Sequence, residues 1–191
     1  MKFPSIYLAS RSPRRRELLL QMGVKFSVIN PDVDESILSD ELPIDYVCRI
    51  ARAKAKAGKQ LLLDGDKSLV LAADTAVIFE NKILGKPTSE IDAAQMLERL
   101  SGKTHQVLTA VTLENSEHSE TVVSTNEVRF AVLSERDIEW YLRTNEGMDK
   151  AGGYAVQGQA ALFIEHIEGS YSGIMGLPIR ETGQLLLNLG K

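Results

Sequence analysis

Arginine is crowded where a helix should begin. Ser10-Arg11-Ser12-Pro13-Arg14-Arg15-Arg16-Glu17 follows a short apolar run, Ile6 to Ala9, that reads as a strand. Ser12 suits an N-cap and Pro13 the first helical position, so Arg14, Arg15 and Arg16 fall in the first turn. That turn carries partial positive charge and prefers acids, and each arginine there costs about a few tenths of a kcal/mol. A local rule broken without structural gain suggests a functional site. Free backbone N–H groups, two serine hydroxyls and clustered guanidiniums make an anion trap best matched to phosphate.

Asp74 is the sharpest single residue. It lies in Leu69-Val70-Leu71-Ala72-Ala73-Asp74-Thr75-Ala76-Val77-Ile78-Phe79, a nearly unbroken apolar run that reads as a buried strand. A carboxylate there costs several kcal/mol unless it is paired or holds a metal. The plain alternative is an Asp at a strand end or bulge, bonded to nearby backbone N–H groups. Phosphate-type residues elsewhere in the chain favour the functional reading.

Other groups are more ambiguous. Lys54 is expected on the inward face of a helix, where a lysine usually snorkels. Lys86, between Gly85 and Pro87, is held in a stiff turn, but exposed loop lysines are common. The loop Asp32-Val33-Asp34-Glu35 offers oxygen ligands for a hard cation, though a solvated turn is its ordinary role. Asp149 to Gly158 and Gly169 to Ile179 are glycine-rich segments that let backbone approach a ligand. Gln157 in the first presents both a donor and an acceptor, suited to a nucleobase edge.

Several chemistries are excluded. Ser101-Gly102-Lys103-Thr104 lacks the earlier glycine of a P-loop and runs from helix to strand, the reverse order. There is no G-x-S-x-G or H-E-x-x-H pattern. His105, His118 and His166 have no metal spacing, and the single Cys48 allows neither an internal disulfide nor a cysteine-based zinc site. Any metal should be oxygen-bound, Mg²⁺ or Mn²⁺ in character.

These residues need a scaffold that brings distant segments together. The 191 residues, 43% of them hydrophobic, suffice for one domain or two lobes sharing one core. A net charge of -4 argues against a partner that is a nucleic-acid polymer. No stretch approaches a membrane span, and no secretory segment precedes the first strand, so a cytoplasmic setting and no membrane partner are expected. Strands are expected at 6–9, 24–29, 68–79, 83–84, 104–113, 121–132, 154–156 and 161–167. Helices are expected from Pro13 to a stop at Gly23, over 44–58 with Gly58 as its cap, and from Ser89 to Leu100 with Ile91, Ala94, Leu97 and Leu100 inward. Two more run over Ser134 to Arg143 and from Pro178 to Leu189. The alternation, with one hairpin-like pair, predicts α/β with a mixed sheet.

Taken together, the segments resemble the Maf family of nucleoside triphosphate pyrophosphatases. The pieces are Leu8-Ala9-Ser10-x-Ser12-Pro13-Arg14-Arg15, Ala51-Arg52-x-Lys54-Ala55, Ala73-Asp74-Thr75, Leu84-x-Lys86-Pro87, Ser101-Gly102-x-Thr104-His105, Asp149-Lys150-Ala151-Gly152-x-Tyr154-x-x-Gln157-Gly158 and Gly176-Leu177-Pro178. They occur in family order across almost the whole chain. Ser-Pro-Arg-Arg, Ala-Asp-Thr and Gln157 resemble the dTTP/UTP branch rather than the 7-methyl-GTP branch. Arg11 and Gly85 depart from the usual pattern without touching a residue of assigned role.

The resemblance implies a single Maf-like domain over 1–191, with a mixed central sheet flanked by helices, inosine-triphosphatase-like, and two lobes around a cleft. It implies hydrolysis of dTTP and UTP, and modified pyrimidine nucleotides with them, to the monophosphate and pyrophosphate. Asp74 would be the proton acceptor that activates water. Glu35 and Asp74 would hold a divalent cation, Mg²⁺ or Mn²⁺. Ser10, Arg14, Lys54 and Lys86 would grip the triphosphate, with Ser12 and Arg15 in support, and Arg14, Thr75 and Gln157 would select the base. A homodimer is part of the same expectation. The rivals are 7-methyl-GTP as substrate, or a non-catalytic nucleotide-binding regulator of cell division.

Overall fold

Leu69–Phe79 is the spine of the fold. The computed structural model describes residues 2–63 and 66–189. Its seven strands are β1 (Ile6–Ala9), β2 (Phe26–Ile29), β3 (Leu69–Phe79), β4 (Lys82–Leu84), β5 (Thr104–Glu114), β6 (Ser119–Phe130) and β7 (Ile164–Glu168). They form one mixed sheet in the order β2-β1-β3-β5-β6-β7, with β4 paired to β3 outside that path. The β2-β1-β3 portion is parallel and all other pairings are antiparallel. Helices α1 (Pro13–Gln21), α2 (Pro43–Gln60), α3 (Glu90–Leu100), α4 (Glu135–Leu142), α5 (Tyr171–Ile174) and α6 (Ile179–Leu189) flank it.

Alternation along β3 decides which helix meets which residue. Val70, Ala72, Ala76 and Ile78 pack with α2 through Val47, Ile50, Ala51 and Ala55. Leu69, Leu71 and Ala73 meet α1 and α6 through Leu18, Leu19, Leu185 and Leu186, while Val77 and Phe79 share a cluster with Leu97 of α3 and Tyr141 of α4. Asp74 therefore falls on the α2 side and Thr75 on the other. On one edge β3 is paired with β5 from Val70 to Ile78. On the other, β1 pairs with Leu69 to Leu71 and β4 with Val77 to Phe79. Among the described residues, Ala72 to Ala76 have no strand partner on that edge, and the gap holds both Asp74 and Thr75.

Most expected elements are present, and the departures have local causes. Gly58 does not cap α2, which runs on to Gln60. A Cβ at Gly58 would lie 3.0 Å from the Ala9 Cβ, so the glycine lets the helix approach the sheet closely. Ile91 faces solvent at 73% exposure, and the buried stripe of α3 is Ala93, Met96, Leu97 and Leu100. Residues 154–156 are buried but not a strand. The Tyr154 hydroxyl is spent on His105, 2.8 Å away. Residues 161–163 lie in a 3₁₀ turn, Gln159–Phe163, and β7 starts only at Ile164. Val24 lies between α1 and β2, its N–H closing the helix end on the Leu19 carbonyl, and β2 starts at Phe26. At the other end of the hairpin β6 stops at Phe130, because the Ala131 N–H turns to the Phe163 carbonyl at 2.7 Å.

Candidate active site

The arginine-rich helix start forms as read. Pro13 opens α1 and Ser12 is its N-cap, but the Ser12 hydroxyl caps nothing. Gly23 follows the helix end at φ 74. The Ser12 N–H instead donates to the Ser10 hydroxyl at 3.2 Å. Arg15 turns inward and donates three ways, to Ser10 Oγ (3.1 Å), Thr75 Oγ1 (3.2 Å) and the Gly176 carbonyl (2.9 Å). Arg14 donates to the Met175 carbonyl at 3.3 Å. The glycine-rich segment before α6 thus supplies the carbonyls that hold both guanidiniums. Burial lowers the pKa of each arginine, opposed mainly by Asp149 for Arg14 and by Asp74 for Arg15.

Asp74 is buried, and its price is met by a lysine from α2. Lys54 Nζ lies 2.8 Å from Asp74 Oδ1 and 2.9 Å from Glu35 Oε1, bridging two carboxylates. Burial nonetheless raises the Asp74 pKa above the ordinary carboxylate value, with Lys54 and Arg15 pulling it down and Glu35 adding to the rise. The acidic loop is fastened to the same helix. Tyr46 donates to the Glu35 carbonyl at 3.0 Å and Arg49 to the Ser36 carbonyl at 2.9 Å. Arg49 is itself fixed by Glu41 at 2.5 Å. One helix face therefore sets both Lys54 and Glu35.

The opposite wall comes from the loop after β4 and the first glycine-rich segment. The Gly152 N–H donates to the Gly85 carbonyl at 3.0 Å, joining the turn that carries Lys86 to the one that leads to Gln157. Gly152 has φ 70, and a Cβ there would lie 2.9 Å from Val77 Cγ1. Glu146 secures the far end, accepting from Tyr141 at 3.0 Å and from the Gln159 N–H at 2.9 Å. Lys86 and Gln157 are both exposed.

These walls enclose a cleft of about 860 Å³, lined by Ser10, Ser12, Arg14, Arg15, Glu35, Lys54, Asp74, Thr75, Lys86 and Gln157. All ten residues singled out from the sequence reach it. Reading the sequence missed the buried groups behind them. Thr109 of β5 is fully buried and bonded to Thr75 at 2.9 Å. Asn126 of β6, 1% exposed, accepts from the Ser170 N–H and donates to the Val107 carbonyl, anchoring the second glycine-rich segment. A polar residue among apolar neighbours was the available signal for Thr109, whereas Asn126 lies among Ser124, Thr125 and Glu127, where nothing marks it. Ser101, in the rejected P-loop look-alike, accepts from the Leu133 N–H at 2.8 Å and is structural.

Comparison with known proteins gives the chain a family and a fold. The family model described as Maf-like protein matches residues 5–189. The chain is 46% identical over 195 residues to a dTTP/UTP pyrophosphatase of Dechloromonas aromatica, covering 97% of each chain. It is 48% identical over 190 residues to one of Pasteurella multocida, covering 96% of this chain and 95% of that one. A third, from Methylobacillus flagellatus, is 51% identical over 185 residues, covering 97% and 92%. The solved structure of the Staphylococcus aureus Ham1 protein superposes with a TM-score of 0.53 at 13% identity, covering 98% of this chain and 100% of that one, and shares the fold. With its model matched from the first strand to the last helix, this chain belongs to the Maf-like protein family.

Proposed function

We infer that this chain is a nucleotide pyrophosphatase that hydrolyses dTTP and UTP to the monophosphate and pyrophosphate. The observation that carries the reading is Asp74, a buried carboxylate with raised pKa, opening into the same cleft as the half-buried Arg14 and Arg15. The names of relatives near half identity over nearly their whole length support the substrate assignment.

In this reading Asp74 takes a proton from the water that attacks the α-phosphorus, and the bond to the pyrophosphate oxygen breaks. Charge accumulates on the leaving pyrophosphate, where Arg14, Lys54 and Lys86 neutralise it. Arg15, with three of its five N–H donors spent on Ser10, Thr75 and Gly176, acts as a brace for that wall. Little covalent chemistry is asked of the protein, and alignment supplies much of the acceleration.

Glu35 and Asp74 fit a divalent cation. Both are hard oxygen donors, and the Lys54 ammonium that bridges them would have to turn aside for a cation to take its place. No group of three or more His, Cys, Asp or Glu side chains gathers among the described residues, so phosphate oxygens and water would complete the shell. When bound, Mg²⁺ or Mn²⁺ would supply electrophilic stabilisation of the phosphoryl oxygens.

The test is incubation of the purified chain with dTTP, UTP, modified pyrimidine triphosphates and 7-methyl-GTP, with Mg²⁺ or Mn²⁺. Pyrophosphate and monophosphate from dTTP and UTP are expected. Orthophosphate as first product, or tight nucleotide binding without turnover, would overturn the reading.

A further inference from the structure

Thr75 and Thr109 face each other across β3 and β5 and share a hydrogen bond of 2.9 Å. Their hydroxyl protons can be assigned from the partners on either side. Thr109 Oγ1 lies 2.8 Å from the Gly173 carbonyl, which only accepts, so the Thr109 proton goes there. The bond between the threonines must then be donated by Thr75. On its other side Thr75 Oγ1 is 3.2 Å from Arg15 Nη2, which only donates. The chain runs one way, from Arg15 to Thr75 to Thr109 to the Gly173 carbonyl. A hydroxyl has one proton and two lone pairs. The Thr75 proton and one lone pair are committed, leaving a single lone pair for the cleft it lines.

Thr109 is fully buried and absent from the cleft wall, so its effect on a ligand passes through Thr75. The segment that receives its proton is rigidly held. Asn126 accepts the Ser170 N–H at 2.7 Å, and the Ser170 hydroxyl accepts the Gly173 N–H at 3.0 Å. The Gly173 carbonyl is therefore a fixed acceptor, and Thr109 is not free to reverse.

We propose that Thr109 is a positioning residue that makes Thr75 an acceptor-only contact, so that the cleft selects a base offering a ring N–H at that point. This rests on the pyrophosphatase reading, with the base at Thr75 as the family resemblance implies, and deepens it. Uracil and thymine carry an imide N–H where cytosine carries a bare ring nitrogen. Two acceptors facing each other leave both unpaired, which disfavours cytosine.

The test compares kcat/KM for UTP and CTP in the wild type, Thr109→Val and Thr109→Ser, with thermal melts to confirm folding. In Thr109→Val the Thr75 proton is released, and the UTP/CTP ratio should fall about threefold to tenfold, the worth of one neutral hydrogen bond. Thr109→Ser keeps the hydroxyl and should hold the ratio within about twofold of wild type. Should the valine variant not fold, Thr109→Ala reads the same ratio. An unchanged ratio, or equal loss on both substrates, overturns the proposal. Absence of UTP turnover in the wild type would instead sink the activity on which it rests.

Discussion

The Lys54 ammonium lies 2.8 Å from the Asp74 carboxylate, although one residue comes from a helix and the other from a strand 20 positions later. Coulomb attraction alone does not repay burying both ions. The bond to Glu35 completes the cluster, and its half-exposed carboxylate keeps that side in touch with solvent. The cluster holds a carboxylate whose charge is compensated by Lys54 yet poorly solvated, which suits a proton acceptor.

Asp74→Asn removes the acceptor while keeping shape. Turnover of dTTP should fall about 10²- to 10⁴-fold, the usual worth of a positioned general base. Nucleotide affinity, measured by calorimetry, should change far less. Near-normal turnover would remove Asp74 from its assigned role.

The pH profile follows from the Asp74 environment. Its pKa is raised by burial, and the base form is the active one, so kcat should decline on the acid side above the ordinary carboxylate range. Lys54 pulls that pKa down. Lys54→Met should therefore shift the acid limb of kcat to higher pH and also raise KM. A limb that stays in place would show that Asp74 does not govern it.

His105 gives a separate pH effect, on stability. Buried between Phe130 and Tyr154, its imidazole is pushed down to about 4, because burial disfavours the charged form. Between about 6.5 and 4 the unfolded chain binds a proton that the folded chain refuses. Stability should thus be intact above about pH 6.5 and fall by about 3 kcal/mol as pH drops to 4. Denaturant unfolding across that window reads the slope, which His105→Gln should flatten.

Gly152→Ala tests the opposite wall. The residue sits at φ 70 and its new Cβ would press on Val77. A loss of about 2–4 kcal/mol is expected from backbone strain and overpacking together. Because the Gly152 N–H ties down the Lys86 turn, KM for dTTP should rise as well. Unchanged stability and KM would contradict that linkage.

How much of this was legible depended on whether a residue's partners were local. The two ends of α1 were, because Pro13 at the start and Gly23 past the end each act on the chain within a turn of where they stand. The start of α4 at Ser134 was legible for the same reason, and the Ser134 hydroxyl accepts from the Asp137 N–H. Asp74 stood out by being costly where it lies, but nothing in the chain said that Lys54 would meet it. Gly58 was misread as a helix stop, since only the fold shows Ala9, Ile29 and Val70 pressing on it. The buried run at Tyr154 looked like a strand because burial and pairing leave the same apolar pattern. Thr109 was invisible as a working residue until the β3–β5 register set it opposite Thr75.

The gap in the β3 edge has a consequence for how this cleft can vary. A bare strand edge invites zippering by its neighbours. Here β1 halts at Ala9 because the chain bends into α1, and Pro13 fixes where that bend falls. Lengthening β1 by a few residues would sew the aperture shut and hide Asp74 and Thr75 behind a ladder of backbone bonds. Pro13 thus acts as the stitch-stop of the aperture, and the width of the opening is written into the place where one proline starts a helix.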